Sequence, residues 1–342
     1  MTRLTRRQFM RAAGAAAASA WLVGTGCAPQ PSATAKPPAA PPTPTVQPSE
    51  LAAVRGDDAA TTEPPAVLPE PTAQPADLAV ARGGDPAAIT QAALAALGGI
   101  NRFVKPGQEV VIKPNICVAY HPPEYAATTN PAVVAALVRL CLGAGAARVR
   151  VMDNPFGGTA EAAYAISGIA EAVSAASGEM EVMSPVKYAE FPIPGGKDIT
   201  AWKVYRDALE TDVLINVPIA KHHSLARLTL GGKNLLGLVA TPNQFHRNLG
   251  QRIADLASLF RPTLTVVDAV RILTAHGPSG GSLDDVKQTN TVIASPDMVA
   301  ADAYATTLFG LTGSDISYIQ AATDMGLGRM DLSSLKVEEV TL

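Results

Sequence analysis

The residues of this chain best suited to chemistry sit where apolar runs stop. Residues 212–234 read DVLINVPIAKHHSLARLTLGGKN. The apolar run ends in Pro218; Lys221, His222 and His223 follow, and further on come Gly231, Gly232, Lys233 and Asn234. The pattern recurs at Lys113 and Asn115 after Glu109–Ile112, at Asp153 after Arg148–Met152, at Asp268 after Pro262–Val267, and at His276 in the glycine-rich loop beyond. Several lysines in one cleft favour an anionic ligand such as a carboxylate or phosphate. They also depress one another's pKa, which turns a lysine into a usable base or nucleophile. On this reading Lys221 and Lys233 bind or polarise the anion, and His222 is the general acid/base near neutral pH. Lys113, Asn115, Asn234 and Thr129 complete the substrate contacts. A divalent metal is the alternative occupant, with His222, His246, His276, Asp153 and Asp268 as imidazole and carboxylate ligands.

Each signal also has a plainer reading. Asp after a strand most often caps a turn or helix. Gly231-Gly232 can simply permit a tight turn. Adjacent His222 and His223 lack the i, i+4 spacing of a helical metal site. GGKN is not the GxxxxGK[ST] phosphate loop, and Asp153 to Gly158 is not GxGxxG. The joint placement on strand ends carries more weight than any single motif.

Those ends need a scaffold. Short apolar strands are expected at Leu78–Ala81, Glu109–Lys113, Arg148–Met152, Asp212–Val217, Pro262–Val267, Thr289–Ala294 and Leu335–Thr341. Helices are expected from Asp85-Pro86 to Leu97, over Ala132–Leu142, Ala160–Ala176, Gly250–Phe260, Met298–Leu308 and Asp315–Thr323, several opening on an Asp or Asn cap. Alternation at this spacing predicts an α/β fold, a mostly parallel sheet flanked by helices. An irregular inserted segment is expected around 178–211. In such a sheet the crevice at the carboxyl ends of the strands holds the ligand, and KHH reads as the loop after its strand.

The N-terminus belongs to a different class of sequence. Residues 1–27 combine a basic start containing Arg6-Arg7, an Ala-rich apolar stretch and Gly24-Thr25-Gly26-Cys27. They resemble a twin-arginine export signal followed by a lipobox, with Cys27 the lipidation site. Residues 28–76 contain 13 of the 28 prolines and read as a disordered tether. Residues 77–342 form a single α/β domain. The expected location is extracytoplasmic, reached through the twin-arginine translocase and anchored to a membrane by lipid at Cys27. The formal charge of −3 argues against nucleic acid as the main partner. Three cysteines with no CxxC leave no ligand set for an iron–sulfur cluster. A Cys117–Cys141 disulfide is one reading; a buried thiol in a helix is the simpler one for Cys141.

An ordered set of blocks resembles a known family. VVIKPNI at 110–116, TTNPAVVAALVRLCLGAGA at 128–146, KHH with LTLGGKN at 221–234, FHRNLGQRIADL at 245–256, VVDAV at 266–270, HGPSGG at 276–281 and ASPDMVAADAYATTLFG at 294–310 are similar to the family called domain of unknown function 362. The resemblance spans roughly 78–342 and implies the α/β fold and the strand-end site. Some relatives carry an appended ferredoxin-like module with two four-iron clusters, whose cysteines this chain lacks. The family has no settled reaction. An enzyme acting on a small anion is therefore one reading, and a tethered lipoprotein that binds a metal or anion without catalysis is the other.

Overall fold

The structure, a computed structural model, describes residues 75–342. The export signal, Cys27 and nearly all of the Pro-rich segment lie outside the described residues.

The chain opens with β1 (Leu78–Arg82) and α1 (Pro86–Ala96). Asp85 caps α1 by accepting from Ala87 N, and Pro86 fills a first-turn position that needs no N–H. The unit repeats as β2 (Glu109–Pro114), α2 (Pro131–Gly143) and β3 (Arg148–Val151), with Asn130 capping α2. The helix expected over 160–176 is two, α3 (Ala160–Ile166) and α4 (Ile169–Ala175), because Gly168 between them adopts a left-handed conformation with φ 70°. β4 (Glu179–Met180) follows. The irregular segment is a hairpin of β5 (Tyr188–Pro192) and β6 (Ala201–Tyr205), a sheet of its own, leading into α5 (Arg206–Glu210). Then come β7 (Val213–Val217), β8 (Ile219–His223), β9 (Arg227–Thr229) and the single turn α6 (Gly231–Asn234). The chain finishes with α7 (Leu249–Phe260), β10 (Leu264–Leu273), β11 (Val286–Ser295), α8 (Met298–Thr306), α9 (Ser317–Asp324) and β12 (Val337–Thr341).

The main sheet has the order β12-β1-β11-β10-β7-β2-β3-β4, with β8 and β9 attached beside β10. Its pairs are parallel except those of β11 with β1 and β10 and of β8 with β9. Alternate strand residues enter two apolar layers. Val111, Leu214 and Val267 pack with α7, α8 and α9, while Val110, Val213 and Val266 pack with α1, α2 and α4. Burial on both faces explains why these strands read as continuous apolar runs.

Two expectations change here. Pro218 does not end the strand: β7 runs beside β10, Pro218 O accepts from Asp268 N at 2.8 Å, and β8 carries on along the same neighbour. KHH is therefore strand, not loop. For the same reason β10 continues past Asp268 to Leu273, so Asp268 is a buried mid-strand residue rather than a strand end.

The turn that presents Lys233 is held from behind. Asp302 on α8 accepts from Gly231 N at 2.7 Å and Gly232 N at 2.8 Å. Neither glycine has room for a side chain: a Cβ on Gly231 would lie 2.7 Å from Asp302 Oδ1, and one on Gly232 would lie 2.9 Å from the Tyr318 ring. The start of GGKN is thus an internal carboxylate clamp. Burial pushes the Asp302 carboxyl up to about 7. Replacing Asp302 with Ala would leave two buried donors unpartnered, at about 1–3 kcal/mol each. Denaturant unfolding of Asp302→Ala is expected to show a loss of about 2–4 kcal/mol; a loss under about 1 kcal/mol would mean the clamp holds nothing.

Candidate functional site

The carboxyl ends of β2 and β3 border a cavity of about 280 Å³. Lys113 ends β2, Asp153 follows β3, and α6 contributes Lys233 and Asn234. Lys221 and His223 enter from β8. Asn115, Cys117, Thr229 and His246 add to the polar lining.

The floor is a closed polar network. Lys113 Nζ lies 2.7 Å from Asp153 Oδ1 and donates to Asn234 Oδ1 and to its neighbour Pro114 O, each at 2.9 Å. Asn115 Nδ2 donates to the same Asn234 oxygen, and Asn234 Nδ2 donates to Lys113 O and to Asn216 Oδ1. Asn216 Nδ2 then donates to Gly231 O. Asp153 also accepts from Ile116 N and Asn154 N. Burial lowers the pKa of Lys113, with the Asp153 carboxylate opposing the shift.

Lys221, 0 % exposed, is equally committed. Its Nζ contacts Ala127 O at 2.6 Å, Pro278 O at 2.7 Å, Asn115 Oδ1 at 3.0 Å and Cys117 Sγ at 3.1 Å. An ammonium has three N–H donors, so the three oxygens use all of them. Lys221 ties the loop after β2 to the 276–281 loop.

Lys233 differs. No hydrogen bond or ion pair with the described residues reaches its ammonium. Burial, then the Lys221 and Lys113 charges, lower its pKa to about 8. Beside it on the cavity wall, the Thr229 hydroxyl is buried and also without a partner. Thr229 faces Lys221 in the β8–β9 register. A free ammonium and an orphaned hydroxyl on one wall leave donors for a ligand to meet.

The strand geometry of β8 decides which histidine belongs to the site. Successive strand side chains point to opposite faces, so Lys221 and His223 line the cavity and His222 does not. His222 Nδ1 accepts from Gly277 N at 3.1 Å instead. His223 Nδ1 accepts from Leu225 N and Ala226 N, which leaves the proton of the neutral ring on Nε2. Burial, then the Lys233 and Lys221 charges, push His223 down to about 3. His223 is therefore a neutral hydrogen-bond donor at physiological pH. Burial and Lys233 also lower His246, at the exposed edge.

Other expected site residues stand elsewhere. Thr129 is buried away from the cavity; its hydroxyl accepts from Asn115 N and donates to Val217 O. Asp268 accepts from Asn130 N and Val270 N, fixing the entry to α2, and burial raises its pKa to about 6. His276 pairs with Asp285 at 2.8 Å on the surface. The five residues assigned to a metal do not converge: among the described residues no group of three or more His, Cys, Asp or Glu could hold one. Cys117 and Cys141 are free thiols, and burial raises Cys141 to about 12.

Sequence reasoning missed His223, Asn216, Cys117 and Asp302. Alternation along β8 would have found His223. Asn216 interrupts an apolar strand, which is a visible signal. Cys117 and Asp302 have none in a single sequence.

The three lysines should separate on mutation. Lys113→Met strips a buried carboxylate of its cation, at about 3–5 kcal/mol, and Lys221→Met removes the ammonium that Ala127 O, Pro278 O and Asn115 Oδ1 share. Both are expected to lower Tm by 5 °C or more. Lys233→Met removes an uncompensated charge and is expected to leave Tm unchanged or raise it. Equal losses across all three would contradict this division.

The chain is 28% identical over 255 residues to a thylakoid-associated protein of Synechocystis sp., covering 70% of this chain and 75% of that one. Among solved structures it is similar to the lactate racemase apoprotein of Thermoanaerobacterium thermosaccharolyticum, with a TM-score of 0.45 and 13% identity over 71% of this chain; it spans 58% of that chain. Residues 110–307, which include the cavity's lysines, match the family described as Domain of unknown function (DUF362), and the chain belongs to that family.

Proposed function

We propose that the cavity binds a small anion on Lys233 and that Lys233 moves a proton to or from it. The carrying observation is that Lys233 is the one cavity lysine whose ammonium has no acceptor among the described residues. With Lys113 offset by Asp153, the Lys221 and Lys233 charges remain to attract an anion. The Thr229 hydroxyl and the His223 Nε2–H are further donors for it.

The proton-transfer role passes from His222 to Lys233. His222 is outside the cavity, and His223, held near 3, stays neutral throughout the physiological range. A lysine near 8 supplies both forms close to neutral pH. Its ammonium binds the anion, and its free amine accepts a proton. The non-catalytic reading, an anion-binding lipoprotein, is favoured by the commitment of Lys113 and Lys221 to structural bonds.

Location is part of the proposal. The Arg6-Arg7 signal and Cys27 support twin-arginine export and lipid anchoring, and the Synechocystis relative is named for a thylakoid association. Mass spectrometry of the mature protein is expected to show a chain beginning at acylated Cys27; an unprocessed or unacylated chain would remove the anchor.

Binding and catalysis have opposite pH signatures. Anion affinity depends on the protonated lysine, so it is expected to be full below about pH 7 and to fall as pH rises through about 8. Base catalysis depends on the free amine and is expected to rise over the same interval. Calorimetric titration with phosphate and small carboxylates checks the first, with at least a tenfold weakening in Lys233→Met. Deuterium incorporation into a bound carboxylate in D₂O checks the second. Affinity unchanged in Lys233→Met would sink the site. Binding without deuterium incorporation would leave a binder.

A further inference from the structure

The cavity has a polar floor, and its exposed lining sets two large apolar side chains, Phe156 and Leu225, among the polar Asn154, Ser224, Asn243 and His246. Phe156 and Leu225 both line it, yet they are 64 % and 61 % exposed. Tyr120, 57 % exposed, stands beside them: its hydroxyl lies against Gly157, where a Cβ would come within 2.5 Å. Two of the large apolar side chains left in water thus line one opening, with Tyr120 against the residue that follows Phe156. Scattered exposed apolar residues need no explanation; a cluster rimming a pocket does.

The backbone that carries these side chains is held in place. Phe156 N donates to Cys117 O, Ala119 N donates to Gly157 O, and Val118 bridges Gly157. Leu225 N donates to His223 Nδ1. The backbone that carries the apolar rim is bonded to residues of the polar lining or the loop that bears it. A volume of about 280 Å³ suits a head group and a few further atoms. Phe156 and Leu225 border a way out for anything longer.

Resting on the anion reading above, we propose that the ligand is an amphiphile, with its anionic head at Lys233 and an alkyl or other apolar tail across Phe156 and Leu225. Head and tail contribute separately, so affinity has one component set by charge and another set by tail length. Each methylene taken from water against these side chains adds up to about fourfold in affinity.

The test uses the purified protein with butanoate and octanoate, titrated calorimetrically below the micellar range. Wild type is expected to bind octanoate at least about tenfold more tightly than butanoate. In the double variant Phe156→Ser, Leu225→Ser that ratio is expected to collapse to within about threefold, whereas Lys233→Met loses affinity for both. Equal affinities for the two acids in wild type would overturn the tail and leave the anion site standing. A ratio retained in the double variant would also overturn it, since the tail would then lie elsewhere. Absence of binding for either acid, and for phosphate, would remove the anion reading itself. Co-sedimentation with phosphatidylglycerol–phosphatidylcholine vesicles provides the last arm. If the double variant loses vesicle binding while octanoate has no advantage over butanoate in wild type, the rim is a bilayer contact and the proposal fails.

Discussion

The Lys113–Asp153 ion pair holds the candidate site together. Its members leave adjacent parallel strands, β2 and β3, and meet at 2.7 Å with almost no exposure. Two charges in such a place are tolerable only when their remaining hydrogen-bonding capacity is met. Here it is met. Asp153 accepts from two backbone amides, and Lys113 reaches Asn234 on the α6 turn. Asn234 in turn links back to β7 through Asn216. Three strands and the turn bearing Lys233 are thus bound by one polar network. The network also dictates Gly237, where a Cβ would fall 2.0 Å from Asp153 Oδ1 and 2.7 Å from Lys113 Nζ.

The charge balance of the cavity follows from that pair. One carboxylate faces three lysines among the polar lining. Lys113 takes the carboxylate, and Lys221 is solvated by carbonyl and amide oxygens without being neutralised. Lys233 has neither. Its lowered pKa expresses burial beside two cations, and an incoming anion would reverse part of that shift by supplying the missing counter-charge. His223 fits the same field: a charged imidazole between Lys221 and Lys233 is disfavoured, and two backbone amides occupy the nitrogen that would take the extra proton.

Much of the scaffold was legible because its central strands are buried on both faces and two of its helices, α1 and α2, start at Asp or Asn before Pro. The α/β class, the caps at Asp85 and Asn130 and the break in the alternation over 178–211 all follow from local signals. The site was legible as a set of strand ends: Lys113, Asn115, Asp153, Lys221, Lys233 and Asn234 meet around one cavity. The misplacing of His222 and of Asp268 has a common origin at Pro218. Proline is expected to end a central strand, but β7 and β8 share β10 as neighbour, and the Pro218 carbonyl still pairs with Asp268 N. Reading KHH as loop put His222 in the site, whereas strand parity puts His223 there. Treating Asp268 as a strand end made a mid-strand carboxylate look like a ligand. The Asp302 clamp on GGKN joins residues far apart in the chain, which no local pattern encodes.

The same bonds that build the floor also fix the mouth, which limits how the site can respond to a ligand. Cys117 lies within reach of Lys221 through its sulfur and holds Phe156 through its carbonyl. His223 faces the cavity and holds Leu225 through Nδ1. A rotation of the His223 ring on binding would release the Leu225 and Ala226 amides together. Each would then lack a partner, at about 1–3 kcal/mol where buried. Rearrangement at the floor is therefore coupled to the rim, and small motions of either are opposed by the other. A cavity built this way favours a ligand that fits the existing donors over one that requires the wall to reorganise. It also confines the freedom to adapt to Lys233, whose flexible stem no bond restrains.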